Sequence, residues 1–386
     1  MDRRQFLTRT IAVGVVAVGD AVLPRALAHA ATTLGTGPYG PLLEPDKNGL
    51  MLPRGFRSRL VAVSGQPVGS TQHVWHGAPD GGACFPVRKG GWVYVSNSEV
   101  EPDGGVGAIR FSATGDIVDA YPILHSTRRN CAGGTTPWNT WLSCEEVADG
   151  LVWECNPLGK SQGFSRPLLG SFRHEAAVVD PRTGHLYLTE DDPVGRLYRF
   201  VPTRHGRLDR GSLFAARLDG YDVTWIPTAT DRPDRQEATT AFNGGEGLWV
   251  DRDAMYITTK GDVRVWRMNL AHQQLGPIYH WAETPDAALN AVDNVTIHVP
   301  SDDVFVAEDG GNMELVVFAR SAGGVSITPF LRFVGHDQSE VTGPAFSPDG
   351  RRMYLSSQRG TDNSTGVTVE IAGPFRTLKP SQRRFP

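Results

Sequence analysis

The chain has 386 residues, a formal net charge of −4 and 21% charged residues. So small a net charge gives no electrostatic case for nucleic acid as a partner, and four cysteines in so long a chain exclude a disulfide-built scaffold. Glycine (44) and proline (27) are abundant, and valine, tyrosine, tryptophan and threonine recur in short runs, which points to many short strands joined by tight turns.

In chain order, residues 1–30 read as a signal peptide. Arg3-Arg4 is followed by Gln5-Phe6-Leu7, a mildly apolar stretch runs from Ile11 to Leu23, and Ala26-Leu27-Ala28 and Ala28-His29-Ala30 offer small-x-small cleavage sites. The paired arginines indicate export by the twin-arginine route, to the extracellular space or the cell envelope. The apolar stretch is shorter than the ~20 residues that a membrane span requires, and Gly14, Gly19 and Asp20 interrupt it. No later stretch could span a membrane either. Residues 31–386 are then expected to form a single domain and to act as a monomer.

A run of the form apolar–aromatic–apolar–small recurs through that domain. Its copies are Val93-Tyr94-Val95-Ser96, Thr140-Trp141-Leu142-Ser143, Leu186-Tyr187-Leu188-Thr189, Met255-Tyr256-Ile257-Thr258, Val304-Phe305-Val306-Ala307 and Met353-Tyr354-Leu355-Ser356. Each has the composition and period of a strand. Turn clusters such as Asp180-Pro181-Arg182-Thr183-Gly184 and Ser347-Pro348-Asp349-Gly350 separate it from a preceding strand, and a third apolar run often follows, as in Arg196-Leu197-Tyr198-Arg199-Phe200. The spacing is about 46–49 residues, apart from one longer gap that predicts an inserted loop around Thr203–Glu237. Six copies of a repeat of short antiparallel strands predict an all-β, six-bladed β-propeller.

Blade topology then predicts where chemistry sits. The first strand of a blade starts on the face where the antiparallel second strand ends. Residues before the first strands should therefore meet residues after the aromatic runs at one mouth of the central channel. The first set is His76 with Asp80, Cys131, His174-Glu175, Glu246, Asp293-Asn294 and Thr342. The second is Asn97 and Glu99, Cys144-Glu145-Glu146, Glu190-Asp191-Asp192, Asp262, Glu308-Asp309 and Ser357-Gln358. Carboxylates gathered so closely are costly to bury unless a cation neutralises them. Several oxygens suit calcium, and a thiolate among carboxylates suits a transition metal such as iron. Individually the residues have plainer readings: Glu99 and Glu146 as solvated loop charges, His174 as a core histidine, Cys131 as a buried thiol or half of a bridge. Cys144–Cys155 is the bridge that spacing favours, and the state of Cys84 is open.

At these residues the chain resembles the PhoX-type secreted alkaline phosphatases. The resemblance runs from Gly37-Pro38-Tyr39-Gly40-Pro41-Leu42 and Leu52-Pro53-Arg54-Gly55-Phe56 through His174-Glu175, Tyr187-Leu188-Thr189-Glu190-Asp191 and Glu246-Gly247, and is densest over the segment from Asn130-Cys131-Ala132-Gly133-Gly134 to Cys144-Glu145-Glu146. It implies a six-bladed propeller with a cluster of ferric iron and calcium at the channel mouth, hydrolysing a small phosphate-ester substrate. Carried over, Cys131, Glu175 and Glu246 are the expected iron-side ligands. Glu145, Glu190, Asp191 and Glu308 are the expected calcium-side ligands, with Asp293 and Asn294 beside them. The family pattern has an arginine two residues before the channel glutamate, where this chain has Gly244; Arg129, Arg196 or Lys260 would have to supply that charge. Asn139 stands where the pattern has glycine. The same architecture also suits a lactonase, a phosphodiesterase or a non-catalytic calcium-stabilised binding protein.

Overall fold

The computed structural model describes residues 37–378, except 89, 232, 234, 236, 285, 286, 322 and 323. The signal segment read over residues 1–30 lies outside the described residues. Those described form an all-β, propeller-like array in which the only helices are two short 3-10 turns, Pro167–Leu169 and Trp281–Glu283.

Every strand pair is antiparallel. The first sheet runs Pro79–Pro86, Trp92–Ser98, Gly104–Phe111, Ile117–Thr127, and the second Asn130–Thr135, Trp141–Glu145, Val152–Cys155, Phe164–Ser165. A nine-stranded sheet follows. One half is His174–Val179, Leu186–Glu190, Leu197–Pro202, Gly211–Asp219 and Asp222–Thr228; the other is Gly245–Asp251, Ala254–Thr259, Arg264–Asn269 and Gln274–His280. A single residue pair, Asp222 with Gln274, joins the halves. The fourth sheet holds Val295–His298, Asp303–Ala307, Glu314–Ser321 and Gly324–Phe333, with Leu50–Met51 on its edge. The last, Val341–Phe346, Arg352–Ser357 and Val367–Ala372, takes its outer strand, Arg57–Val63, from the N-terminal side. That pairing ties the two ends of the described chain into one sheet.

The hydrogen bonding therefore gives five sheets where the repeat predicts six separate ones. The reason lies in the long gap of the repeat. It is not a loop: Gly211–Asp219 and Asp222–Thr228 form a hairpin across Gly220 (φ +60°), and the added strand reaches the neighbouring unit.

All six repeated aromatics fall on second strands and are buried. Their role is packing between units: Tyr94 stacks on Tyr354 with centroids 5.1 Å apart, and Tyr256 and Phe305 each join a core with the following first strand. Burying a side chain of this size contributes about 1.5–3 kcal/mol. The first strands pack against one another in a ring, in the order Pro79–Pro86, Asn130–Thr135, His174–Val179, Gly245–Asp251, Val295–His298, Val341–Phe346 and back to the first. Five of the six show a register shift near their start: between Pro79 and Gly82, Asn130 and Gly133, His174 and Ala177, Gly245 and Leu248, and Thr342 and Ala345. Bulges of this kind re-aim side chains, and these shifts surround Asp80, Cys131, Glu175 and Glu246.

Candidate metal centre at the channel mouth

Two tiers of side chains meet where the first strands begin. The inner tier comprises Asp80, Cys131, Glu175 and Glu246, from the bulged starts, and Asp293, which precedes the unbulged strand Val295–His298. The second follows the ends of the second strands: Glu99, Glu146, Asp191, Lys260, Asp309 and Gln358. Ligand atoms lie within 4.8 Å of one another in three overlapping groups: Asp80, Glu99 and Cys131; Cys131, Glu146 and Glu175; Glu175, Glu246 and Asp293. Cys131 and Glu175 each belong to two groups, which makes them the link between the ends of the cluster. Cys131 Sγ is 3.6 Å from Asp80 Oδ2, and Gln358 Nε2 donates to Asp80 Oδ2 (2.6 Å) and Glu99 Oε2 (2.8 Å).

The cluster is short of positive charge. Lys260 Nζ sits 2.9 Å from both Asp191 Oδ2 and Glu246 Oε1, and Arg129 bridges Glu99 Oε1 (2.5 Å) and Glu146 Oε2 (2.7 Å). Glu175 Oε1 is buried with no hydrogen-bond donor among the described residues. Burial first, and neighbouring carboxylates second, push the acids of Glu175 and Asp293 well above the ordinary carboxylate range. Burial also raises Glu246, although Lys260 opposes it. Asp80 is pushed up to about 7 by burial and by Glu99. Glu146 is pushed up to about 8, chiefly by burial, against the pull of Arg129. Two unit charges about 5 Å apart repel by about 3 kcal/mol at an effective dielectric constant near 20. A site of this kind is therefore built for a charge that the chain does not itself supply. The acceptor-rich, donor-poor lining fits metal cations, and the buried thiol adds a soft ligand.

Of the residues expected from sequence, Cys131, Glu175, Glu246 and Asp293 are brought together in the inner tier, with Asp191, Lys260 and Arg129 above them. Glu145, Glu190 and Glu308 are not in the cluster. Each caps the third strand of its own unit: Glu145 accepts from the backbone N–H groups of Arg128 and Leu151, Glu190 from Arg196 N–H, and Glu308 from Asn290 and Glu314 N–H. The physical reason is strand alternation. Successive side chains point to opposite sides, so in Glu145-Glu146, Glu190-Asp191 and Glu308-Asp309 the second residue faces the channel. Asn294 does not offer its carbonyl to the cluster either; Oδ1 accepts from Gly343 N–H (2.6 Å) while Nδ2 donates to Asp293 Oδ1 (2.7 Å), so it orients that carboxylate. Arg196 turns aside to Thr239 and the Val194 carbonyl.

Sequence reasoning left Asp80, Asp309 and Gln358 out of the ligand set and read Glu99 and Glu146 as solvated. The available signal was position: each stands next to a residue that was chosen, or at the same place in its own repeat. His174 is a core histidine, packed at a tilt against Phe172 with Nε2 3.0 Å from the Gly170 carbonyl, and His76 packs at a tilt against Trp75. All four cysteines are free, so the Cys144–Cys155 bridge that spacing favoured is not formed.

The caps can be separated from the cluster experimentally. Glu190 also accepts from Tyr198 Oη (2.9 Å) and pairs with Arg235 (2.6 Å). Glu190→Ala leaves those donors without their buried partner, and we expect a stability loss of roughly 3 kcal/mol with bound metal per chain unchanged. Thermal denaturation alongside elemental analysis checks this; loss of metal with intact stability would put Glu190 back among the ligands.

Residues 102–283 match the sequence model of the family described as alkaline phosphatase PhoX. Among solved structures, the chain is similar to Pseudomonas fluorescens PhoX in complex with vanadate, a transition state analogue, with a TM-score of 0.70 and 16% identity over 86% of this chain and 97% of that one. It is also similar to a gluconolactonase from Xanthomonas campestris, with a TM-score of 0.53 and 12% identity over 88% of this chain and 99% of that one. At such identities these likenesses bear on the fold. No curated protein sequence matches the chain.

Proposed function

We propose that this chain is a PhoX-family phosphatase that hydrolyses phosphate monoesters with metal ions held at the channel mouth. The observation that carries this reading is the inner tier itself: Cys131, Glu175, Glu246 and Asp293 converge on one small space, with a buried Glu175 oxygen that no group among the described residues satisfies. The family match spans Cys131, Glu175 and Glu246. The likeness to a gluconolactonase shares only the architecture, and a propeller does not select its chemistry.

Cys131, Glu175 and Glu246 suit ferric iron, since a thiolate beside carboxylates favours a transition metal. Asp80, Glu99, Glu146, Asp191 and Asp293 offer the oxygens that calcium prefers. When bound, such ions supply positive charge to the phosphoryl oxygens and a more acidic water. The remaining work belongs to the chain. Phosphoryl transfer depends mainly on positioning and electrostatics, and the mouth is pre-positioned: Gln358 holds Asp80 and Glu99, Asn294 holds Asp293, and Arg129 holds Glu99 against Glu146. Lys260 places a partly exposed ammonium group over Glu246, on the side from which an ester would arrive.

The ring of six first strands supports reading the nine-stranded sheet as two blades, which makes the whole a six-bladed propeller. The twin-arginine segment supports export in a folded, metal-loaded state. The test is turnover of p-nitrophenyl phosphate by protein supplied with iron and calcium, with a lactone as the comparison substrate; lactone hydrolysis without phosphatase activity would overturn the proposal. Cys131→Ser is expected to remove iron and its charge-transfer colour while leaving calcium in place. Activity should fall by more than the ~10–100-fold that loss of an outer partner of a metal ligand costs. Retained colour would assign the iron elsewhere.

A further inference from the structure

We infer that Arg173 is the side chain that grips the phosphoryl group of the incoming ester. The inference rests on the phosphatase reading for its substrate, but its structural basis is separate. An anion approaching a mouth lined with carboxylates needs a cation whose N–H groups are not already committed. Around this mouth most cations are committed. Arg129 is held by Glu99 and Glu146, Lys260 by Asp191 and Glu246, Arg235 by Glu190 (2.6 Å) and Asp192 (2.9 Å), Arg359 by Glu340 (2.6 Å), and Arg128 by Asp149 (3.0 Å). Arg173 differs. Its nearest carboxylate oxygen, Glu146 Oε1, is 3.8 Å away, and its side chain is 45% exposed. Among the described residues no hydrogen bond is formed by its guanidinium.

Its backbone, by contrast, is fixed. The Arg173 carbonyl accepts from Asp191 N–H (3.1 Å), which pins the residue between the two tiers of the cluster, and the strand bearing Glu175 begins at the next residue. The register of the sheets shows why this position matters. Asn130, His174 and Gly245 are the first paired residues of their strands, opposite Glu145, Glu190 and Thr259, and Cys131, Glu175 and Glu246 follow them. The residues just before are Arg129, Arg173 and Gly244. Three equivalent positions thus flank the Cys131–Glu175–Glu246 face. At the first, the arginine is spent on two carboxylates. At the third there is no side chain, and a Cβ would come 2.9 Å from Lys260 Cγ, so the lysine occupies that space. Only the middle position presents a guanidinium with donors to spare. Its planar fork matches two phosphoryl oxygens, which a compact ammonium group cannot do.

The experiment compares wild type, Arg173→Ala and Arg173→Lys, all metal-loaded. Two quantities are measured: steady-state hydrolysis of p-nitrophenyl phosphate and calorimetric binding of inorganic phosphate. We expect Arg173→Ala to raise KM and the phosphate Kd together by tenfold or more, with a smaller change in kcat. Metal content and melting temperature should stay as in wild type, and Arg173→Lys should recover part of the loss. Arg351→Ala, in a turn at the far end of its strand, removes the same charge and should change neither constant. Unchanged phosphate affinity in Arg173→Ala, or no phosphate binding by wild type, overturns the inference. If wild type binds phosphate but does not hydrolyse the ester, the phosphatase reading fails, and the comparison of phosphate affinities still decides the role of Arg173.

Discussion

Glu175→Gln is expected to remove turnover and, in metal-free protein, to raise the melting temperature. The two effects have one cause. Glu175 belongs to two of the three ligand groups, facing Cys131 and Glu146 on one side and Glu246 and Asp293 on the other. Without cations its carboxylate is buried among like charges, its Oε1 has no donor among the described residues, and burial followed by Glu246 and Asp293 drives its acid well above the usual range. A neighbouring charge within 5 Å costs about 3 kcal/mol at an effective dielectric constant near 20. Proton uptake already relieves part of that cost, so we expect the amide to stabilise the apo form by on the order of 1 kcal/mol. With metal bound the sign reverses, because the amide replaces a charged ligand shared by both ends of the cluster. A loss of at least a thousandfold in kcat is expected, on the order of 4 kcal/mol of transition-state stabilisation. Calorimetry of the apo and loaded forms, together with kcat, checks both halves. A lower apo melting temperature with unchanged metal content would make Glu175 a structural residue.

How far the site could be read from sequence depended on which residues carried a directional signal. Tyr94, Trp141, Tyr187, Tyr256, Phe305 and Tyr354 marked the second strands because each is buried between units, a requirement that repeats with the fold. Strand polarity then placed Cys131, Glu175, Glu246 and Asp293 at one mouth, since that argument needs only the order of the strands. It could not choose between neighbours. Glu145 and Glu146 are chemically alike, as are Glu190 and Asp191, and a shift of one residue moves a side chain to the other face. The aromatic run itself slides: Glu146 lies five residues after Trp141, and Asp191 four after Tyr187. Counting from the aromatic therefore misaligns the first two units with the rest. The same polarity argument brought Lys260, after its second strand, to the start of the first strand at Gly244, where a Cβ would come 2.9 Å from Lys260 Cγ. The strand Asp222–Thr228 was hidden by its flanks: Val223, Trp225 and Ile226 suit a strand, but the stretches rich in Arg and Asp on either side of the hairpin made the whole gap read as one loop.

Chelation should reverse the way stability depends on pH. In metal-free protein the raised acids bind protons in the folded state at pH values where the unfolded chain has released them. Asp80 titrates at about 7 and Glu146 at about 8, against about 4–4.5 for free carboxyl groups. Between these limits these two groups hold more protons in the folded state than in the unfolded one, so their contribution to apo stability is greatest near pH 4 and is lost as pH rises towards 8. Metal ions compete with those protons, and their binding releases them, so the loaded protein should gain stability over the same interval. At pH 8 a ligand present at about a thousand times its Kd contributes about 4 kcal/mol, and removing it should lower the melting temperature by on the order of 5–10 °C. Near pH 5 the difference between the two forms should shrink, because protons then do part of what the cations do. Melting curves with and without chelator across this range decide the matter. A gap that stays constant with pH would mean that the carboxylates of the two tiers are not what binds the metal.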